Sequence, residues 1–435
     1  MIAAVKSGSP SYIRWACLAT IVFLFALPCI VGRLTTYFLL LLAIFVLISP
    51  SVIAAFRSRS RNPIDVMFVT AAALPAVAFL FTSEDAGDLL YAFNFAPLLL
   101  AVPLRWQLEK YAQVDSALLI GRLSLAGAGI AVIVGAVQVG LLGYDRAGQP
   151  LMSTFHFADT AMLLGFTALV GLFARSKQRG RWLYLLGPVF GILVALLSGT
   201  RGALIAAPVL GFVALAFALA KAPARHRGVT LLVAGAVVVL SAILLFVAAK
   251  AGLTRALDGF SVTQDVIAGG AVDQSTQERL TMLWGGYQAF LRAPLFGYGW
   301  IDMVPAILPY VPSGEVERML TFRQLHNGLL SFAVGAGIPG IISFLILSVA
   351  PVIAVFRTPR DELFVPRLYL AVTLCVGYAV FQLTIIMIGF EFHTVQYAFM
   401  TMVILGFVRV PAAAMEPAQS ARGNAPVAPE TASTA

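Results

Sequence analysis

The sequence predicts an all-α integral membrane protein of about twelve transmembrane helices, with one long outer loop that contains amphipathic helices. Three observations predict it. The 435-residue chain is 60% hydrophobic and only 11% charged, where a globular chain carries about 25% charged residues. Long apolar runs, of the ~20 residues needed to cross a bilayer, follow one another from Tyr12 to Val408. Short basic segments separate them in the alternating pattern that orients helices in a membrane. The net charge of +9 therefore reports orientation and implies no nucleic-acid partner.

Taken in order, the spans are expected near residues 12–31, 35–56, 64–82, 89–104, 117–142 and 159–174, then 182–198, 203–220, 229–249, 327–350, 368–388 and 393–408. The first has no small-residue cleavage site and is followed at once by a second apolar run, so it is a retained helix and not a signal peptide. With the N-terminus in the cytoplasm, the inside segments collect Lys6 and Arg14, then Arg57, Arg59 and Arg61, then Arg105 and Lys110. Further along they collect Arg175, Lys177, Arg179 and Arg181, then Lys221, Arg225 and Arg227, then Arg357, Arg360 and Arg367, and finally Arg409 and Arg422. The short outside loops hold only Arg33, Arg146 and Arg201. That asymmetry places both termini inside. Residues 1–408 then form a single polytopic domain, and 409–435, rich in Ala, Pro, Ser and Thr, form a disordered cytoplasmic tail. Cys17, Cys29 and Cys375 all lie in apolar segments without a CxxC partner, so neither a zinc site nor a disulfide framework is indicated.

The segment of about 250–326, between the ninth and tenth spans, is far longer than the other loops, and loops of that length are commonly functional or disordered. Its aromatics (Trp284, Tyr287, Phe290, Phe296, Tyr298 and Trp300) argue for a structured segment at a membrane interface. Ser275 followed by Glu278 is a capping-box pattern that would open a helix at Thr276. Leu280, Leu283, Trp284, Tyr287, Phe290 and Leu291 then share one helical face, and Arg292-Ala-Pro ends the helix. The expectation is an amphipathic helix along the outer leaflet. Arg279 stands in its first turn, where the helix dipole opposes a cation, so a nearby anion is implied.

Three stretches carry a resemblance. LLSGTRGAL at residues 196–204, ERLTMLWGGYQAFLRAPLFGYGW at 278–300 and HNGLLSFAVGAGIPG at 326–340 resemble, in order and spacing, the signatures of the O-antigen ligase and polymerase family. The resemblance covers about residues 190–340 in motif and most of the chain in topology. It implies an inverting, metal-independent glycosyltransferase of the bacterial inner membrane with its active site facing the periplasm. The donor would be a glycan on undecaprenyl pyrophosphate, with no cofactor, and the acceptor a hydroxyl of lipid A-core. By the family pattern Arg201 and Arg279 would bind the pyrophosphate and His326 would act on the acceptor. FHFADTAML departs from the family, which often has Pro-Asn where this chain has Ala158-Asp159, so no role is carried to that site.

The residues themselves agree with that assignment without requiring it. Arginine suits a pyrophosphate because its planar fork binds phosphate oxygens in pairs and stays charged. Arg201 could equally be an interfacial anchor, Arg279 a solvated helix residue, and His326 a helix-start residue without chemistry. His156 and His393 also fall outside, while His226 lies in a cytoplasmic basic loop. Glu84, Asp85 and Asp88 could hold a cation, but no fixed spacing or histidine reinforces them, and a solvated acidic loop is the simpler reading. Gly297-Tyr298-Gly299 and Gly335-Ala336-Gly337 follow no βαβ strand and are not dinucleotide loops; the latter, with Gly340, reads as close helix packing. Two other functions stay open: a polymerase joining lipid-linked repeat units of O-antigen or exopolysaccharide, and a transporter or flippase of the lipid-linked glycan. A transporter usually shows two similar halves and broken, charged spans, whereas this chain has one asymmetric outer loop and few mid-span charges, Arg122 the clearest.

Overall fold

The computed structural model describes residues 11–48, 62–174, 180–250 and 274–411, and among them every regular element is a helix. The longer helices are α1 (Ser11–Phe25), α2 (Leu34–Leu47), α3 (Pro63–Thr82), α4 (Ala96–Lys110), α5 (Ser116–Gly140) and α6 (Thr154–Ala168, continued by Val170–Phe173). After them come α7 (Leu186–Ser198), α8 (Arg201–Lys221), α9 (Arg227–Lys250), α10 (Gln274–Arg292), α11 (Gly328–Phe356), α12 (Phe364–Phe381) and α13 (Glu391–Gly406). Each expected span falls on one of these. Among the described residues eight helices are long and apolar enough to cross a membrane, and Ser11–Phe25 and Leu34–Leu47 are apolar but shorter. The fold is that of an all-α integral membrane protein, although these lengths do not fix the total of twelve crossings. Residues 251–273 of the long loop and 412–435 of the tail lie outside the described residues.

Among the eight, α6 is the most buried and α8 the least, so α6 is the axis of the bundle and α8 lies at its flank. Glycines let neighbours close on α6: a Cβ on Gly165 would meet the Gly187 carbonyl oxygen at 2.4 Å, and one on Gly187 would meet that of Gly165 at 2.3 Å. Such backbone contact is the usual way membrane helices pack without a hydrophobic driving force. One end of the bundle is fastened by ions. Arg105 of α4 reaches Asp65 of α3 and Glu109, both at 2.8 Å, and Glu109 also meets Arg409 at 3.2 Å. Arg367 of α12 is fully buried, pairs with Asp361 at 3.0 Å and donates to the Val408 carbonyl at 2.6 Å. A charge this deep is tolerable because every side of it meets an acceptor. Cys17, Cys29 and Cys375 are buried and free.

At the opposite end, α10 is already helical at Gln274, where the described residues resume ahead of the expected start at Thr276, and Glu278 is ion-paired with Arg318, forty residues on. Its helical face divides as amphipathicity requires, but in the less obvious sense. Thr281, Met282, Gly285, Gly286 and Ala289 pack against the protein, while Leu280, Leu283, Trp284, Tyr287 and Leu291 stay exposed. An apolar stripe turned away from the protein is what a helix lying along a membrane surface offers to lipid. Trp300, by contrast, is no interface residue. It is 4% exposed and sits among Phe79, Phe95 and Phe332.

The two glycine motifs prove to be halves of one device. Helix α11 breaks at Gly337 (φ 61°, ψ −145°), where close helix packing was the expectation. The break frees carbonyls that the turn at 294–299 then satisfies: Tyr298 N–H donates to Val334 O at 2.9 Å and Gly299 N–H to Gly335 O at 3.1 Å, while Ile338 N–H donates to Pro294 O at 2.8 Å. In a membrane protein, irregular backbone survives only where protein satisfies it. A Cβ on Gly297 would stand 2.3 Å from Val334 O, and Gly297 also has φ of 73°. Gly297→Ala is therefore expected to lower stability by about 1–3 kcal/mol, seen as a lower unfolding temperature of the purified protein in detergent; an unchanged temperature would mean the two motifs do not clamp each other.

Candidate functional site

The site is built around the segment that joins α12 to α13. The expected span at 368–388 is too long: α12 stops at Phe381, and residues 382–390 run as turns and extended chain. The sequence QLTIIMIGF is apolar enough to pass for helix, and hydropathy does not register the break. Gly389 turns the chain with φ of 99°, and its missing Cβ makes room for the Trp300 ring, which would otherwise be 2.3 Å away. Thr394 Oγ1 accepts from Gly389 N–H at 2.9 Å and closes the segment onto α13.

Three chain segments meet this one. From the end of the long loop between α9 and α11, Gln324 Oε1 accepts from Ile386 N–H at 3.1 Å, and Gly328 N–H donates to Gln382 O at 2.7 Å. Between those anchors stands His326. Its φ of 50° lies in the left-handed region and makes it the one non-glycine residue with positive φ among the described residues. Such a conformation costs on the order of 1–3 kcal/mol and persists where the surroundings over-determine it. Asn327 follows as the N-cap of α11, its Oδ1 accepting from Leu330 N–H at 2.9 Å. The histidine ring lies edge-on to Phe322 at 5.4 Å. The Thr384 backbone lies beside the ring and favours its protonation, while Nδ1 is buried without a hydrogen-bond partner.

The second segment is the α7–α8 hairpin. Gly199 (φ 62°) ends α7 in the left-handed conformation, and Arg201 is the first residue of α8, half-buried. The hairpin is held from below by Thr200, whose hydroxyl donates to Thr154 O at 3.3 Å, and from the side by Arg146, whose Nε donates to Ser198 O at 2.6 Å. Gly202 rests on Thr384: a Cβ there would be 2.3 Å from Thr384 Oγ1. Arg201 thus precedes the glycine that touches Thr384, whose backbone lies beside the His326 ring. The third segment is α10, packed on α11 through Gly286, where a Cβ would meet Leu330 at 2.5 Å. It brings Arg279, half-buried, close enough for its charge to act on His326. Burial first and the Arg279 charge second push the His326 pKa down to about 4, with the Thr384 carbonyl opposing them. At neutral pH the imidazole is uncharged.

The structure therefore gathers Arg201, Arg279 and His326 around residues 382–386. It brings His156 and His393 together elsewhere at this end, ring centroids 4.5 Å apart and edge-on. His393 is fully buried, its Nδ1 3.1 Å from Gln396 Oε1 and its carbonyl accepting from Tyr378 OH at 2.8 Å. His226 is exposed next to Arg225. The acidic loop forms a capped turn: Asp85 Oδ1 accepts from Gly87 and Asp88 N–H, and Asp88 Oδ2 from Glu84 N–H. Among the described residues no three His, Cys, Asp or Glu side chains are grouped as a metal site. Sequence reasoning missed residues 382–386 and the bracing role of Arg146. The polar pair Gln382 and Thr384 at the end of an apolar run was the available signal for the first.

The class is thus an all-α integral membrane protein with arginines and one strained histidine converging at one end of the bundle. Residues 186–345, somewhat over a third of the chain, match the family model described as O-antigen ligase. The matched stretch contains Arg201, Arg279 and His326. No curated protein matches the chain.

Proposed function

We propose that the chain is an inverting, metal-independent glycosyltransferase that moves a glycan from undecaprenyl pyrophosphate to a hydroxyl of lipid A-core at the periplasmic face of the inner membrane. The observation that carries this is the unpaired Nδ1 of His326 beside the charge of Arg279. Buried polar atoms are paired in over about 90% of cases, so an orphaned imidazole nitrogen at a strained residue is a place for an absent partner. The acceptor hydroxyl fits it. As the hydroxyl oxygen forms its bond to the anomeric carbon, His326 takes the hydroxyl proton. The C1–O bond breaks with its electron pair going to the pyrophosphate, whose charge Arg201 and Arg279 hold. Attack and departure on opposite faces of the sugar invert the anomeric centre.

Reconstitution with purified lipid-linked donor and lipid A-core tests the reading directly. Transfer without added divalent metal supports it; no transfer to core, with growth of lipid-linked chains instead, would make the protein a polymerase. Sidedness is tested separately. With the three native cysteines buried, a membrane-impermeant thiol reagent applied from the periplasm is expected to label Ser313→Cys and spare Arg225→Cys. The opposite pattern would put His326 in the wrong compartment.

A further inference from the structure

The start of α10 and the chain that leads into His326 are clipped together by side chains. Glu278, next to Arg279, is buried and ion-paired with Arg318. One turn on, Thr281 Oγ1 donates to Glu315 Oε2 at 3.1 Å. Both partners belong to one compact stretch, a short turn at Ser313–Glu315 followed by a single helical turn at Val316–Met319. Backbone bonds brace that stretch. Glu315 N–H donates to Pro312 O at 2.8 Å, Leu320 N–H to Val316 O at 3.1 Å and Thr321 N–H to Arg318 O at 3.1 Å. Phe322 N–H donates to Met319 O at 3.0 Å, and the Met319 side chain is fully buried. The stretch leads into Phe322, whose ring lies edge-on to His326, and Gln324, which is tied to Ile386. Glu278 and Arg318 therefore join the residue before Arg279 to a braced segment that ends at His326.

We propose that Arg318 and Glu315 are positioning residues, which hold the start of α10 against the chain leading to His326 and so set the separation between Arg279 and His326. The proposal rests on the roles given above to those two residues, one at the leaving group and one at the acceptor. With the Arg318 side chain 47% exposed, the ion pair adds little stability by itself; its use lies in where it puts its neighbours. Groups that act on opposite sides of one carbon must be closely placed, and a misplacement of about 1 Å can cost about 10²-fold in rate. The charge of Arg279 reports the placement, because it acts on the His326 ring, and neither Arg318 nor Glu278 is among the charges that do.

The test follows the His326 titration in the full chain by NMR of labelled histidine, its signal among the four histidines assigned by loss in His326→Ala. Arg279→Gln removes the repelling charge and should move the titration to higher pH, up from about 4. Arg318→Gln and Glu278→Gln should both move it the same way, because either one breaks the clip and lets Arg279 leave the ring. Their own charges are opposite, so direct field effects would move it in opposite directions. Combining either with Arg279→Gln should add no further shift, as expected of changes that act through one group. Two milder variants guard against misfolding. Thr281→Val removes a hydrogen bond and no charge, and should give a smaller shift of the same sign; Arg318→Lys keeps the pair and should give little. In the transfer assay Arg318→Gln should lose about tenfold, within the range of such a misplacement, and Arg318→Lys should recover most of it. No shift in Arg279→Gln, or a shift there with none or opposite ones in Arg318→Gln and Glu278→Gln, would overturn the proposal. Should the titrations move as expected while Arg279→Gln and His326→Ala transfer at the wild-type rate, the clip stands and the catalytic reading falls.

Discussion

His326→Ala is expected to lose about 10²- to 10⁴-fold in turnover while still binding the lipid-linked donor, the range a general base contributes. The expectation rests on how the residue is held. A histidine that merely started a helix would have no reason to occupy φ of 50°, since Asn327 already supplies the cap. The strain is retained because Gln324 and Gly328 are both tied to residues 382–386, and those ties aim the ring. Nδ1 is buried and has no hydrogen-bond partner, which leaves it open to a hydroxyl proton. His156→Ala and His393→Ala are expected to lose much less. His393 is sealed among Tyr378 and Gln396, and substitution there acts on folding more than on chemistry. A reconstituted assay decides it: turnover of His326→Ala within about threefold of wild type, far below the general-base range, would return His326 to a structural role.

Much of this was legible in the chain. Hydropathy and the placement of Lys and Arg locate the helices because both are local properties, averaged over a span. The same averaging hides what matters at the site. Residues 382–388 are as apolar as a helix and were expected to be one; what ends α12 there is the pull of Gln324, Gly328 and Trp300, all distant in sequence. Glu278 looked like half of a capping box because Ser275 precedes it, but Arg318 competes for the carboxylate and holds it. The glycines of 335–337 and 297–299 were visible as glycines, and nothing local says that one motif breaks a helix so that the other can fill the break. His156 and His393 meet only in the fold. Arg201, Arg279 and His326 were legible for another reason. Their side chains are chemically unusual beside an apolar span, and such groups stand out in a membrane protein wherever they fall.

The two arginines give the second large effect. Arg201→Lys and Arg279→Lys are each expected to reduce transfer by roughly 10- to 150-fold, the worth of about 1.5–3 kcal/mol for a lost hydrogen bond to a charged group, although the charge is kept. Lysine is a point charge and cannot grip two phosphate oxygens in one plane. The pH profile separates this loss from a general disturbance of the site. Burial and the charge of Arg279 hold the His326 pKa near about 4 in the free protein, so the neutral, proton-accepting form persists as pH falls from 7 and is lost only toward that value. Arg279→Lys keeps a positive charge on α10, and the acid limb of kcat/KM should stay where it is while the whole profile drops. Arg279→Gln removes the charge, relieves the imidazolium of its repulsion and should move the acid limb to higher pH. Arg201→Lys should lower the profile without moving the limb, because Arg201 is not among the charges acting on His326. Near-normal rates for both lysine variants, at normal protein levels, would mean the pyrophosphate is held by other groups at this end of the bundle. A limb that fails to move in Arg279→Gln would separate Arg279 from the base altogether.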